Sequence, residues 1–444
     1  MMGRGSCALL TKGTINDERR IKMKAILISV ILALLVVAAW APAQVQKPTK
    51  EPILIGHVTP LSGMIAATGL GSSRGAKLAV DIINEKGGIN GRPLRLVTRD
   101  DQNKPDIAIA MAREMRSRLG INLIMGCGST LTGLAVAPLA PQLGFVFIAS
   151  QTSAERLRGL NANTFHTVTD PRTNWSGMGR IISKNFPDVK RWACVNPDYD
   201  YGHYTWENFV YELQHRNPET DIVASRWAPF GAGGGYGPHI QAILDSKAEA
   251  LYMGFWAGDL VAFAKEAKEY DLFSKLKVIV CPYFDWETVI SLGASVPEVW
   301  MGEIYYHGVY NYPESEEFYR RFAQEYGEAY AFGRQGSAAM GYAAIEAYAA
   351  ALKVTRGSDK PEGIIKALQD LKYKSIFGPT WMRSKENGVY AGYALCHVVP
   401  DKTAQYGFKV VQAFDLRGTD NLLPVEEALN WPNTRNEWFK THKR

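Results

Sequence analysis

The fold class follows from residues 53–97, which read ILIGHVTPLSGMIAATGLGSSRGAKLAVDIINEKGGINGRPLRLV. The apolar run Ile53 to Ile55 is closed by Gly56, which is typical of a buried parallel strand. A helix follows, because apolar residues recur at the helical period at Ala76, Ala79, Val80 and Ile83. Residues 94–99 then alternate as a second strand does. The three elements form a βαβ unit, which places a ligand-sized cleft at the end of the first strand.

The boundaries of this helix carry a motif that resembles an enzyme signature. Ser72 or Ser73 is expected to be the N-cap, and the Gly87-Gly88 pair ends the helix. Residues 71–75 match G-x-S-x-G, the nucleophile elbow of α/β-hydrolases. That elbow needs a strand running directly into the turn, and a glycine-rich loop precedes it here. The interpretation is therefore a helix N-terminus, with an esterase that uses Ser73 as the competing hypothesis.

Strands and helices continue to alternate along the chain, which predicts two similar α/β lobes. Two more strands of the first sheet are expected at 121–126 and 145–149. Strands of a second sheet are expected at 192–195, 222–227, 250–255, 277–281 and 300–306. Helical periodicity returns at 315–330, 336–353 and 361–371. A hairpin of strands 393–399 and 408–414 indicates that the chain crosses between lobes more than once, which makes a hinge.

The first 43 residues are expected to be a secretory signal. Lys22 and Lys24 precede the small and apolar run 25–39, and Ala41-Pro42-Ala43 offers small residues where a signal peptidase reads. The run is short for a membrane span, which needs about 20 apolar residues, so a retained anchor is the lesser alternative. The predicted location is the periplasm.

Composition excludes several classes of function. The 444 residues are 46% hydrophobic and 21% charged, enough apolar content for two cores. Most of the formal net charge of +6 lies in the signal, and no basic stripe follows, which argues against nucleic acid as a partner. The histidines and cysteines lack metal-site spacings, so neither a metal nor a cofactor is expected. Buried free thiols are expected at Cys127, Cys194, Cys281 and Cys396, and a disulfide, which the periplasm permits, is the lesser alternative.

The strongest site signals are polar residues at strand ends, where open α/β sheets bind ligands. Ser129 and Thr130 follow one strand with hydroxyls and helix-terminal amides that suit a carboxylate. Gln151, Thr152 and Ser153 repeat the pattern after the next strand. Helix capping alone is the competing explanation for both clusters.

Aromatic residues follow the strands of the second lobe. Phe255-Trp256 and the segment Tyr283-Phe284-Asp285-Trp286 come after two strands, and residues 198–202, DYDYG, come after a third. Such rings form walls for apolar or aromatic ligands, and one buried acid, Asp285, would suit an ammonium group. His57 is more simply explained by packing, and the glycine-rich run 231–237 by a surface loop, since it fits no phosphate-binding motif.

Several of these segments together resemble a known family. IGHVTPLSG, GAKLAVDIINEKGGINGRPLRLVTRDDQNKP, CGST, IASQTS and DYDYG are similar to the branched-chain amino acid class of periplasmic binding proteins, and the resemblance covers residues 51–415. It implies a type I periplasmic binding fold, in which two doubly wound parallel-sheet lobes are joined by a three-crossover hinge. It also implies a solute receptor that delivers its ligand to the permease subunits of an ABC importer.

The resemblance implies domains and roles for the candidate residues. Lobe 1 would comprise 51–165 and 312–392, lobe 2 would comprise 166–311 and 393–415, and 416–444 would be a C-terminal tail. The carboxylate would be held by Ser129, Thr130, Gln151, Thr152 and Ser153. Tyr201 would close over the ligand from lobe 2. Asp285 lies near the position at which members of the family place an acid for the amino group of the ligand. Its surrounding sequence, PYFDWE, differs from the P-E-G of leucine binders.

The sequence therefore predicts a monomeric, non-catalytic receptor for a small carboxylate-bearing solute. A branched-chain or other hydrophobic amino acid is the preferred ligand. An aromatic carboxylic acid is the alternative, favoured by the rings Tyr201, Phe255, Trp256, Tyr283 and Phe284. A ligand-sensing regulator on the same fold is a further class.

Overall fold

A computed structural model describes residues 23–24, 50–167, 172–390, 392–416 and 424–442. The chain divides into a unit of residues 1–46 and a compact unit of residues 47–444. The predicted signal, residues 1–43, lies outside the described residues except for Met23 and Lys24. None of the helices within the described ranges is both long enough and apolar enough to cross a membrane.

The first sheet has eight strands in the order β11-β12-β13-β5-β4-β3-β1-β2. Its strands are β1 Ile53–Thr59, β2 Leu94–Asp100, β3 Leu123–Gly126, β4 Val146–Ala149, β5 Thr164–His166, β11 Lys372–Ser375, β12 Gly378–Arg383 and β13 Gly388–Tyr390. Pairing is parallel from β2 to β13, and only β11-β12 and β12-β13 are antiparallel.

The second sheet has seven strands in the order β15-β14-β10-β9-β8-β6-β7. They are β6 Arg191–Pro197, β7 Asp221–Ala228, β8 Ala250–Met253, β9 Val278–Cys281, β10 Val299–Glu303, β14 Ala394–Pro400 and β15 Phe408–Asp415. β14 and β15 form the predicted hairpin and pair antiparallel beside β10. Both sheets are thus mixed, with a parallel centre and an antiparallel edge.

Thirteen α-helices lie within the described ranges. They are α1 Ala66–Glu85, α2 Pro105–Ser117, α3 Thr130–Val136, α4 Leu139–Leu143, α5 Gly177–Asn185, α6 Asp200–Arg216, α7 Gly237–Asp245, α8 Ala257–Glu269, α9 Trp286–Leu292, α10 Pro313–Tyr326, α11 Glu328–Val354, α12 Pro361–Leu368 and α13 Val425–Trp438. The segment between β3 and β4 forms two short helices, α3 and α4, because Pro138 interrupts the helical run.

The chain passes between the two sheets three times. It leaves the first sheet after β5, returns to it between β10 and β11, and enters the second sheet again between β13 and β14. The predicted two-lobe fold with three crossovers is confirmed. Both sheets are mostly parallel, as predicted for the doubly wound lobes, and each ends in antiparallel strands.

The G-x-S-x-G motif lies inside α1 and makes a close helix contact. The N-cap expected at Ser72 or Ser73 is wrong, since α1 begins six residues earlier, at Ala66. A Cβ at Gly75 would overlap the carbonyl oxygen of Ala338 on α11, and one at Gly341 of α11 would overlap the carbonyl oxygen of Ser72. The glycines therefore let two helix backbones approach, and the geometry of a nucleophile elbow is absent.

His57 belongs to the same core. It is fully buried in β1, and its ring nitrogens lie 3.4 and 3.5 Å from the hydroxyls of Ser72 and Ser73. Burial lowers the pKa of His57 to about 3, so the imidazole is neutral. Its role is packing, as expected.

The four predicted thiols Cys127, Cys194, Cys281 and Cys396 are free and buried. Among the residues described, no three His, Cys, Asp or Glu side chains are grouped as a metal site would require.

Candidate ligand-binding site

A cavity of about 540 Å³, counting its mouth, lies between the carboxyl ends of the central strands of the two sheets. The lining residues are Thr68, Gly128, Ser129, Thr130, Gln151, Ser153, Asn174, Trp175, Tyr199, Tyr201, Trp256, Tyr283, Ile304, Met340 and Tyr393. Each of the three connections between the sheets contributes a wall: Asn174 and Trp175 the first, Ile304 the second and Tyr393 the third.

The loop that carries the hydroxyls of the first lobe starts with an uncommon backbone turn. Gly126 has φ of 118° and Cys127 has φ of 66°, the second being a left-handed conformation that non-glycine residues seldom adopt. The Cys127 amide donates to the Val58 carbonyl at 2.6 Å, which holds the turn in place. A strained residue beside a cavity is typical of functional sites.

The first lobe offers neutral polar groups to the cavity. Thr130 donates its hydroxyl to the Ser153 carbonyl at 3.1 Å, which ties together the loops after β3 and β4. Ser129, the N-cap of α3, donates its hydroxyl to Asn103 Oδ1 at 2.6 Å and forms a capping box with Thr132. Gln151 Oε1 accepts from Thr59, and no described residue accepts a hydrogen bond from the buried Nε2 of Gln151. That amide is an available donor for an anionic ligand.

The second lobe offers an aromatic wall centred on Tyr201, in the first turn of α6. The Tyr201 ring stacks on Tyr199 at 5.8 Å and meets Trp175 edge-on at 5.7 Å and Trp256 at 6.3 Å. Its hydroxyl is buried and has no hydrogen-bond partner among the described residues. Desolvation raises the Tyr201 pKa well above its ordinary value, so the phenol is neutral.

The glycine-rich run 231–237 helps to position the residues of this aromatic wall. Asp259 of α8 accepts the amides of Gly231 at 2.7 Å and Gly233 at 2.8 Å, so a buried carboxylate anchors the loop. The loop begins after Phe230, whose ring stacks on Trp256 at 5.4 Å and contacts Tyr199 at 4.9 Å. The loop thus positions aromatic side chains.

The described residues that line the cavity are all uncharged. Six of them are aromatic: Trp175, Tyr199, Tyr201, Trp256, Tyr283 and Tyr393. The arrangement can hold a flat, largely apolar body against the second lobe, with polar contacts on the first lobe.

Six of the ten predicted site residues line the cavity: Ser129, Thr130, Gln151, Ser153, Tyr201 and Trp256. Three others face elsewhere. Thr152 donates to the carbonyls of Cys127 and Ser129 at 3.3 and 3.4 Å, which joins the two loops. Phe255 and Phe284 are fully buried in the core on the other side of the second sheet, because consecutive residues of an extended chain face opposite sides.

Asp285, the predicted partner of an ammonium group, is the N-cap of α9. Its Oδ1 accepts from the Thr288 amide and its Oδ2 from the Thr288 hydroxyl, both at 3.0 Å. Burial raises the Asp285 pKa. The residue lines a neighbouring cavity that shares only Thr68 with the first. The structure therefore does not bring Asp285 to the main cavity.

Several lining residues were not among the predicted site residues. Tyr199 and Tyr283 lie in the aromatic segments noted in the sequence, and the alternation of sides would have favoured Tyr283 over Phe284. Trp175, Met340 and Tyr393 lie on a π-helical turn, a long helix and a crossover, where no strand-end pattern marks them.

Comparison with known proteins is consistent across sequence and structure. A model of the periplasmic binding protein family matches residues 52–403. The Leu/Ile/Val-binding protein BraC3 of Rhizobium johnstonii is 32% identical over 152 residues, which are 34% of this chain and 41% of that protein. The aligned segment thus spans about two fifths of the length of that curated relative.

Two solved structures share the fold. A solute-binding protein of an ABC transporter from Rhodopseudomonas palustris, in complex with 3,4-dihydroxybenzoic acid, aligns with a TM-score of 0.72 and 22% identity over 82% of this chain and 98% of that one. A leucine-binding protein from Thermotoga maritima aligns with a TM-score of 0.71 and 15% identity over 83% of this chain and 100% of that one. At such identities the likeness concerns the fold alone.

Proposed function

The chain belongs to the periplasmic binding protein family, and we propose that it is an extracytoplasmic receptor for a small aromatic carboxylate. The observation that carries the choice of ligand is the cavity, in which six aromatic side chains and no charged side chain stand among the described lining residues. The family is one of solute-binding receptors.

The absence of an acid among those residues weighs against a free amino acid. An ammonium group taken from water into a closed cleft loses its hydration, and it is tolerated only when a carboxylate or several acceptors replace the water. Asp285 is already bonded through both oxygens to Thr288. A benzoate-like acid has no ammonium group and makes no such demand.

The carboxylate end would be held by the first lobe. Gln151 Nε2 has its donor unused among the described residues, and Ser153 lies beside it on the same loop. Hydrogen bonds from neutral donors to a carboxylate are charge-assisted and stronger than neutral pairs. The ring would lie among Tyr201, Trp175 and Trp256. The two ends of the cavity thus match the two ends of an aromatic acid.

A branched-chain amino acid is the second candidate. The name of the Rhizobium relative favours it, and Asp285 lines the adjacent cavity beyond Thr68. In this alternative, Asp285 would exchange its bond with the Thr288 hydroxyl for one with the ligand.

The family also implies the setting of the receptor. Export to the periplasm through the predicted signal, residues 1–43, would place it where a solute is captured for the permease subunits of an ABC importer. A sensing regulator would need no export, so the signal favours transport. Closure of the two lobes on the ligand would create the form that the permease recognises.

A thermal-shift screen tests the proposal directly. Benzoate, 4-hydroxybenzoate and 3,4-dihydroxybenzoate are expected to raise the melting temperature of the mature protein, and leucine, isoleucine and valine are not. The substitution Trp256→Leu is expected to abolish the shift, whereas Tyr270→Leu, at the exposed far end of α8, is expected to keep it. Stabilisation by leucine alone would overturn the choice of ligand.

Catalysis by Ser73 has no support in this geometry. The residue is part of α1, and its hydroxyl faces His57, which is fully buried in β1. A generic ester is therefore expected to remain intact with the parent protein and with a Ser73→Ala variant alike. Turnover that disappears on that substitution would restore the esterase hypothesis.

A further inference from the structure

Helix α13 lies beyond the segment that matches the family, which ends at residue 403. It packs against α6, the helix whose first turn carries Tyr201. The Trp431 indole donates to Asn208 Oδ1 at 2.7 Å, and Tyr211 meets Trp431 edge-on at 4.8 Å. Trp438 makes a second edge contact with Tyr211 at 5.3 Å. These contacts fasten α13 to the lobe built on the second sheet.

The same helix reaches the other lobe through one buried side chain. Arg435 is 2% exposed. Its Nη1 lies 2.6 Å from Glu155, in the turn that follows β4 of the first sheet, and its Nη2 lies 3.0 Å from Glu207 of α6. At the helix start, Glu426 pairs with Lys385, near β12 of the first sheet, at 2.7 Å. Helix α13 is therefore bonded to both lobes.

Both carboxylates held by Arg435 are close in sequence to cavity walls. Glu155 follows Ser153 by two residues, and Glu207 lies on α6 less than two turns after Tyr201. Asn208 also donates to Glu155 at 2.8 Å, so the two lobes touch directly beneath the arginine. A change in the distance between the lobes at this edge would therefore shift residues in both walls of the cavity.

We propose that α13 is a strap that holds the two lobes together beside the cavity, with Arg435 as the positioning residue that slows release of the ligand. Opening the cleft at this edge would separate Glu155 from Glu207 and leave the guanidinium with one partner. A buried charge that loses a partner is strongly destabilised. The strap thereby favours the closed arrangement before any ligand is bound. Its effect on ligand release rests on the proposed function, but its effect on the lobes does not.

The test compares Arg435→Met, which keeps most of the side-chain volume, with Lys440→Met, which removes an exposed charge just after the same helix. Small-angle X-ray scattering without ligand is expected to show a larger radius of gyration for Arg435→Met and no change for Lys440→Met. Stopped-flow tryptophan fluorescence is expected to show 4-hydroxybenzoate leaving Arg435→Met roughly tenfold faster, about 1.4 kcal/mol. The association rate should change little.

Scattering curves of Arg435→Met that superimpose on those of the parent would overturn the strap. Failure of the parent to bind 4-hydroxybenzoate would count against the proposed function and leave the scattering result valid. If Arg435→Met does not fold, Trp431→Phe replaces it in the scattering test. This variant keeps an aromatic ring but loses the hydrogen bond to Asn208. It is expected to enlarge the radius of gyration to a smaller degree. Arg435→Lys, which keeps the charge, is expected to restore part of the parent behaviour.

Discussion

At the scale of single residues, neighbours in sequence have opposite roles. Trp256 lines the cavity and the preceding Phe255 is fully buried in the core behind it. Ser153 lines the cavity and the preceding Thr152 ties two loops together. A strand-end motif therefore identifies the segment that forms a site, and the side of the strand decides which of its residues reach the ligand.

Asp285 gives the sharpest prediction at this scale. Asn caps helices about as well as Asp. Asp285→Asn is therefore expected to leave the melting temperature nearly unchanged and the affinity for 4-hydroxybenzoate unchanged. Asp285→Ala removes the cap and is expected to cost about 1 kcal/mol of stability. Calorimetry and thermal unfolding measure both. A large loss of affinity in Asp285→Asn with unchanged stability would assign the carboxylate to the ligand.

His57 predicts a pH dependence of stability. Its pKa is about 3 when folded, against an ordinary 6.5, so the unfolded chain takes up the proton first as the pH falls. Between pH 7 and 4.5 the parent is expected to lose about 2 to 3 kcal/mol of unfolding free energy relative to a His57→Gln variant. Desolvation raises the pKa of half-buried Glu346 to about 8, and this residue acts in the opposite sense over this window, so the variant is the needed reference.

Urea denaturation of both proteins at the two pH values measures this difference. The two proteins share Glu346, so its contribution cancels in the comparison. An unfolding free energy that changes equally with pH in parent and His57→Gln would show that the imidazole is protonated in the folded protein.

At the scale of elements, helices α1 and α11 approach each other closely through glycines. The residues that resemble a hydrolase motif, 71–75, include two glycines that face α11 at Ser337 and Ala338. The sequence indicates that a helix begins near these glycines. The helix that they contact, α11, lies more than 250 residues later in the chain. The motif's structural meaning thus depends on a contact that no local pattern contains.

Gly75→Ala tests this contact. The added methyl group would overlap backbone rather than a flexible side chain, so the substitution is expected to destabilise the fold by roughly 1 to 3 kcal/mol. Gly363→Ala on α12 is the matched control, since its nearest neighbour would lie at an ordinary 3.6 Å. It is expected to be neutral or stabilising by up to about 1 kcal/mol. Equal melting temperatures for Gly75→Ala and the parent would refute the close approach.

At the scale of the whole molecule, much of the architecture could be predicted and the ligand could not. The alternation of strands and helices indicates the two sheets, and the final hairpin indicates the repeated crossing. The short edge strands β11 to β13 carry no strong pattern, and Trp175 and Tyr393 reach the cavity only because the connections between sheets converge on it. Convergence of distant segments is a property of the assembled fold.

We expect the cavity to select against a ligand that carries an ammonium group, because it offers polar contacts and aromatic rings without an acid among its described walls. Calorimetric titration with 3-phenylpropanoate and with L-phenylalanine tests it most directly, since the two ligands differ only in the ammonium group. We expect 3-phenylpropanoate to bind at least roughly 100-fold more tightly than L-phenylalanine, because an ammonium group buried without a partner is destabilised. Tighter binding of L-phenylalanine would contradict it and return the site to the amino acids.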